Sequence, residues 1–281
     1  MRAIALSLIS IVAIFGASAS SGQRMQDARI FAGDYDHDFT VPHAEGVEGQ
    51  KDASAIHVIR EYLALASPSP WHGLTARGTL ALEQSEALSQ FSATLTLDGY
   101  GRSRLDFTTN SGTRSIRMNG ESGGVLYEGG RMTHYPAAVS AAGLVPSVFT
   151  LHEALQRGNG ALVFDGLVEV QGTRLEKITY TRPALSASHA HQASSLIAPL
   201  VTSLFFDSQS HLLVKAVDSV HFSTNEKNSH LRVFTYSDYR NTQGQVSPYE
   251  LQETLDGRLS WRFNATESEP NCNQDSSYFS F

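Results

Sequence analysis

The 281-residue chain has a single cysteine, Cys272. One cysteine excludes an internal disulfide and any zinc site built from several thiolates. Charge is sparse: 17% of the residues are charged, and 28 acids outnumber 21 bases for a formal charge of −7. No cluster of lysine and arginine is interleaved with aromatic residues, so nucleic acid is not an expected partner. Past residue 15, no apolar run approaches the roughly 18 residues a membrane-spanning helix needs. A Walker loop is missing, as is a dinucleotide G-x-G-x-x-G after a strand, so no cofactor is expected.

The first stretch that is present in strength is a leader. Arg2 supplies a short positive region, "AIALSLISIVAIF" (Ala3 to Phe15) an uncharged apolar run, and "ASA" (Ala17 to Ala19) a small-x-small cleavage site. This reads as a secretory signal over residues 1–19, too short for a spanning helix. Cleavage there removes one base, leaving 20 against 28 acids and a formal −8. The mature chain is expected to be exported to the periplasm or outside the cell, with no integral membrane segment.

Residues 20–51 are polar and show no dominant period, so they read as a flexible lead-in. Asp52 then caps "ASAIHVIREYLALA", in which Ile56, Ile59, Leu63 and Ala66 share one helical face. "SPSPWHG" ends that helix, because proline cannot continue it. From Thr75 onward the texture is of strands: short runs separated by Gly, Asn, Asp or Ser. In "FSATLTL", Phe91, Ala93, Leu95 and Leu97 fall on one side and Ser92, Thr94 and Thr96 on the other. Gly129-Gly130 and Asp256-Gly257 are two-residue hairpin signals. A short helix is expected over Ser147–Gly158, a small-residue insertion over Pro183–Pro199, and a loose tail over 272–281. Helices do not alternate with strands, which argues against a doubly wound parallel sheet.

Four groups of residues invite a chemical reading. Gly120, Ser122 and Gly124 spell G-x-S-x-G, the nucleophile elbow of hydrolases, with Asp165, Asp207 and His211 downstream as candidate partners. An elbow needs a helix after the serine, and the glycines at 123, 124, 129 and 130 make a poor helix. A turn between strands is the expected state of Ser122, and no catalytic residue is assigned. Asp34, Asp36, Asp38 and Glu45 occupy calcium-loop positions, but Phe39 stands where the loop needs glycine. His189 and His191 form an H-x-H pair without a third ligand. Glu83 with Glu86, and Glu250 with Glu253, are carboxylate pairs that sequence alone cannot place across a substrate. No metal site is expected.

Distributed patterns carry a resemblance to the LolA/LolB-like superfamily. "RGTLAL" after an N-terminal helix looks like the first strand of that fold. "RSRLDF" followed by "RSIRMNGESGGVLYEGGRMTHYP" resembles its run of strand, glycine turn and aromatic strand. "LFFDSQSHLLVKAVDSV" looks like its strand, Asp turn and strand. "VFTYSDYRNTQGQVSPYELQETLDGRLSWRF", with Tyr239-Arg240, Gly244 and Pro248, is similar to its C-terminal pattern. The resemblance covers about Asp52 to Asn271 as a single domain, and the longer lead-in and the Pro183–Pro199 insertion depart from it.

It implies an α+β fold: a strongly curved antiparallel sheet, an incomplete barrel, with helices covering the concave side. It also implies a non-enzymatic protein whose partner is an apolar small molecule, lipid or lipoprotein. The expected cavity lining is Leu80, Leu82, Leu95 and Leu97 from the first strands, Ile116 and Met118 from the next, and Phe205, Leu213, Phe234 and Tyr236 from the last third. Ile56, Ile59 and Leu63 of the helix would face them. The same apolar residues could instead fill a closed core. The alternatives are then an interaction domain without a cavity or, less favoured, a serine hydrolase using Ser122.

Overall fold

The computed structural model describes residues 49–66, 73–84, 87–98, 101–110, 112–119, 124–135, 145, 148–156, 160–182, 200–220, 229–270 and 274–280. Asp52 caps the first helix as its sequence predicts: its carboxylate accepts from the Ser54 N–H at 2.8 Å, and its carbonyl from the Ile56 N–H at 3.0 Å. This helix, α1, spans Ala53–Ala66, and a second, α2, spans Val148–Gln156. The buried stripe of α1 is Ala55, Val58, Ile59, Tyr62, Leu63 and Ala66. It is turned slightly from the predicted stripe, so Ile56 is only half-buried.

Thirteen strands form one curved, unclosed antiparallel sheet. They are β1 (Gly73–Gln84), β2 (Ala87–Asp98), β3 (Arg102–Thr109), β4 (Gly112–Asn119), β5 (Gly124–Glu128), β6 (Arg131–Tyr135) and β7 (Ala161–Val170), followed by β8 (Thr173–Arg182), β9 (Leu200–Asp207), β10 (Leu213–Val220), β11 (His230–Thr242), β12 (Gln245–Leu255) and β13 (Arg258–Pro270). Their order is β6-β5-β4-β3-β2-β1-β13-β12-β11-β10-β9-β8-β7. The chain runs out as one meander from β1 to β6, passes through α2, and returns as a second meander from β7 to β13. The two meanders meet at a central seam, where Leu74 pairs with Pro270 and Leu82 with Trp261.

The hairpins follow from turn chemistry. Gly129-Gly130, Gln171-Gly172, Gln243-Gly244 and Asp256-Gly257 each supply two consecutive positive φ angles, as a type I′ turn requires. At the seam, Gly78 has a different task. β1 bulges against β13 between Arg77 and Gly78, and a Cβ at Gly78 would stand 1.9 Å from the Asn264 carbonyl oxygen.

α1 is tied down at its start. The Asp52 N–H donates to the Leu162 carbonyl at 2.9 Å, the Leu162 N–H donates to Gln50 at 2.8 Å, and Lys51 Nζ donates to the Leu155 carbonyl at 2.6 Å. These bonds fasten the helix to β7 and α2. Both helices share one core with residues of the sheet, and the sheet face that carries this core is called inner here; among the described residues every strand except β6 contributes to it. The other face is the outer one. On it Leu175, Phe205 and Val217 form a smaller cluster with valines 168, 170, 214 and 233 and Leu231.

The tail read as loose contains a 3-10 turn, Ser276–Phe279, seated on the outer face of β3 and β4. Arg104 Nη1 donates to the Tyr278 carbonyl at 2.8 Å and its guanidinium lies 4.1 Å over the Tyr278 ring. Arg102 lies 4.9 Å over the Phe279 ring, Arg117 donates to the Ser280 carbonyl, and Phe279 is fully buried. Arginine and aromatic residues thus order a segment whose composition alone reads as unstructured.

Candidate functional site

The inner face is built by strand alternation. β12 alternates buried and half-buried positions along its whole length, and β3 along most of its own. Leu80, Leu82, Leu95, Leu97, Ile116, Met118, Leu213, Phe234 and Tyr236 all belong to the main cluster, with Ile59 and Leu63 of α1 packed into it and Ile56 at its margin. Phe205 is the exception: contrary to the expected lining, it points to the outer face, and Phe206 takes the inner position. In "LFF" the residues next to each other must face opposite ways, and Leu204 and Phe206 share the inner side.

Other inner residues were passed over in the sequence. Tyr62 of α1 meets Phe206 edge-on at 5.7 Å, and Phe234 meets Trp261 at 5.7 Å. Trp261 and Phe263 alternate within "SWRF" and could have been assigned to the inner face by period alone. Tyr62 was missed because it lies outside the predicted helical stripe.

The apolar face contains a buried ionic group. Arg232 on β11 donates through Nε and Nη2 to both Asp218 oxygens on β10, at 2.8 and 2.6 Å. Glu253 on β12 is buried close by, directly across from Phe234. Burial pushes Glu253 up to about 7, while Arg232 and then Ser260 pull it down. Burial pushes Arg232 down, but Asp218 and Glu253 more than offset this and hold the guanidinium charged. Beside this group, burial pushes the Tyr62 hydroxyl up to about 12, with Tyr239 pulling the other way. The Tyr239 hydroxyl donates to the Leu213 carbonyl at 2.6 Å. Paired charges and hydrogen-bonded hydroxyls let polar groups sit among apolar ones without stranding a lone charge.

Among the described residues the candidate partners of Ser122 sit on β7 and at the turn between β9 and β10. Ser122 lies outside the described residues, but β4 before it pairs with β5 after it, so strands flank it on both sides. Asp207 is a turn acceptor: the Ser210 N–H at 2.7 Å holds it below the usual carboxylate range, against opposing burial. His211 follows in the same turn at φ 59°. Asp165 accepts from Thr179 Oγ1 at 2.6 Å and pairs with Lys177 at 3.4 Å. Glu250 and Glu253 point to opposite faces of β12, so they cannot flank one bond. Among the described residues no three His, Cys, Asp or Glu side chains gather as metal ligands. The acidic run Asp34–Glu45, the His189/His191 pair, Glu86 and the Pro183–Pro199 insertion fall outside the described residues. No helix among the described residues is long and apolar enough to cross a membrane.

No protein-family model and no curated protein matches the sequence. Solved structures do match the fold. An outer membrane lipoprotein-sorting protein domain from Vibrio parahaemolyticus superposes with a TM-score of 0.54 at 10% identity, covering 80% of this chain and 95% of that one. A LolA superfamily protein from Nitrosomonas europaea gives 0.51 at 10% identity over 81% and 97%. A DUF1329 family protein from Desulfovibrio piger gives 0.53 at 8% identity over 80% and 95%. At such identities the likeness is one of architecture: this chain has the LolA-like fold.

Proposed function

We propose that this chain is an exported, non-enzymatic binding protein that holds a lipid, an acyl chain or the lipidated end of a lipoprotein between its inner face and α1. The observation that carries this reading is the extent of the inner apolar cluster. Among the described residues it takes in every strand but β6, an arc of roughly 50 Å at strand spacing. The described helices opposite it have 14 and 9 residues, roughly 21 and 14 Å of helix. A sheet face so much longer than its helices suits an elongated apolar ligand that lifts α1 and takes its place. The Nitrosomonas and Vibrio structures, with their LolA-superfamily and lipoprotein-sorting names, support the same direction. The leader at residues 1–19 supports export to the periplasm or beyond.

The test is native mass spectrometry of protein purified from a host that exports it, then lipid extraction and thermal melting with added phospholipid or palmitate. A bound mass in the lipid range, or a lipid-dependent rise in melting temperature, is expected. A clean apo mass with no stabilisation by either lipid overturns the reading. That result would favour a second one, a protein-interaction domain with a filled core, which the complete burial of Ile59, Leu80 and Phe234 supports.

A further inference from the structure

A second site lies on the opposite face from the apolar cluster. Over the seam, the outer surfaces of β13, β1, β2, β3 and β4 enclose a trough of about 530 Å³. Its position follows from the bulge between Arg77 and Gly78, since a bulge bends its strand and deepens the local twist. Five strands at their usual spacing give a floor roughly 19 Å across.

Cross-strand register orders the floor. One row reads Glu267, Arg77, Thr94, Asp106 across four strands, each residue paired directly with the next. Beside it, Thr79 pairs with Ser92, and Thr108 pairs with Thr113. With Thr266, six side-chain hydroxyls line the trough, and each can both donate and accept. The charges cancel locally: Arg77 lies 3.5 Å from Glu267, and Arg104 Nε donates to Asp106 Oδ2 at 2.7 Å. Among the described residues no donor reaches the other Asp106 oxygen. Tyr278, held by Arg104 and 3.4 Å from Asp106, stands an aromatic ring at the margin.

This chemistry narrows the ligand. A polyanion such as nucleic acid needs uncompensated positive charge, and here each arginine has its own carboxylate. An added peptide strand needs an unpaired edge, and the strands of the trough are hydrogen-bonded on both sides. An acyl chain needs an apolar wall, and this one is hydroxyl-rich. A neutral molecule with many hydroxyls meets donors and acceptors at every position. We propose that the trough is a binding site for a neutral oligosaccharide.

The test uses the mature chain titrated with maltotetraose, cellotetraose and chitotetraose, followed by amide chemical shifts and calorimetry. Saturable binding of at least one sugar is expected. The Thr79→Val/Thr94→Val pair removes two hydroxyls while keeping β-branched shape, and should weaken that binding by about tenfold or more. Its melting temperature should stay near wild type. Absence of binding by all three sugars, or binding that the double variant leaves unchanged, overturns the proposal. So does tighter, salt-sensitive binding of heparin that Arg77→Met abolishes, because that would make the trough an anion site.

Discussion

The outer face of β1–β4 and the outer face of β8–β11 belong to one sheet with one ladder of hydrogen bonds, yet they carry opposite chemistry. The first presents Thr79, Thr94, Arg104 and Asp106, and receives the C-terminal turn through arginine–aromatic contacts. The second buries Leu175, Phe205 and Val217, with Lys215 Nζ lying 5.7 Å over the Phe205 ring. Backbone pairing is indifferent to this choice. A strand in the first region is apolar on one side and reads as alternation, as in "FSATLTL". In the second it is apolar on both sides and reads as a run, as in "LFF" or "LLVKAV". The inner face is common to both regions, so their difference lies in what the outer face can contact.

The change expected to matter most strikes the seam between the regions. Gly78→Ala forces a Cβ against the Asn264 carbonyl oxygen, and a backbone neighbour has little room to yield. Urea denaturation should show a loss of at least about 4 kcal/mol, among the rare large effects of a single substitution. A loss under about 1 kcal/mol would mean the seam is loose.

The next test compares the two outer faces directly. Phe205→Ala removes a side chain that is 1% exposed and should cost about 3 kcal/mol through lost burial and a residual cavity. Thr94→Val, at a half-buried position of the polar trough, should change stability by less than about 0.5 kcal/mol. Equal costs would erase the distinction drawn here.

The two regions also differ in pH dependence. Lys215, in the outer apolar region, is lowered from 10.5 to about 8 by burial. The folded chain gives up this proton more readily than the unfolded one, so stability should rise as pH climbs from 8 towards 10.5. Glu253, on the inner face, is raised from 4.5 to about 7 by burial, against the pull of Arg232. The folded chain holds this proton more tightly, so its contribution is complete below 4.5 and is lost as pH rises through 7. Lys215→Met should flatten the alkaline window and Glu253→Gln the acidic one, each read from denaturation midpoints across pH. A variant that flattens the other window would show that the groups had been assigned to the wrong environments.

Much of the sheet was legible in the chain. Period-two alternation located the strands, and Asp256-Gly257 and Gly129-Gly130 marked their hairpins. The inner positions were readable wherever an outward polar neighbour set the phase, as Thr94 and Thr96 do for Leu95 and Leu97. In "LFFD" three apolar residues run together and only Asp207 sets the phase; Phe205 lies on its side of the strand, away from the predicted lining. The order of the strands was not readable from local pattern, because the β1–β13 pairing joins the two ends of the domain. The trough was equally hidden: its residues come from five strands, and they become neighbours only through register. Arg232 and Asp218 lie 14 positions apart in sequence, with no local signal that they would meet on an apolar face.

The seam also sets a condition on when this molecule can exist. β1 emerges first among the strands and β13 last, and they form the centre of the sheet, not its edges. Until β13 arrives, β1 has an exposed edge and the two meanders are separate pieces, each with an open strand that can pair wrongly. Contacts this distant in sequence also slow folding. A chain ordered in this way leaves the centre of its sheet open until its last strand has docked, so its two halves must stay apart from other exposed strands until then.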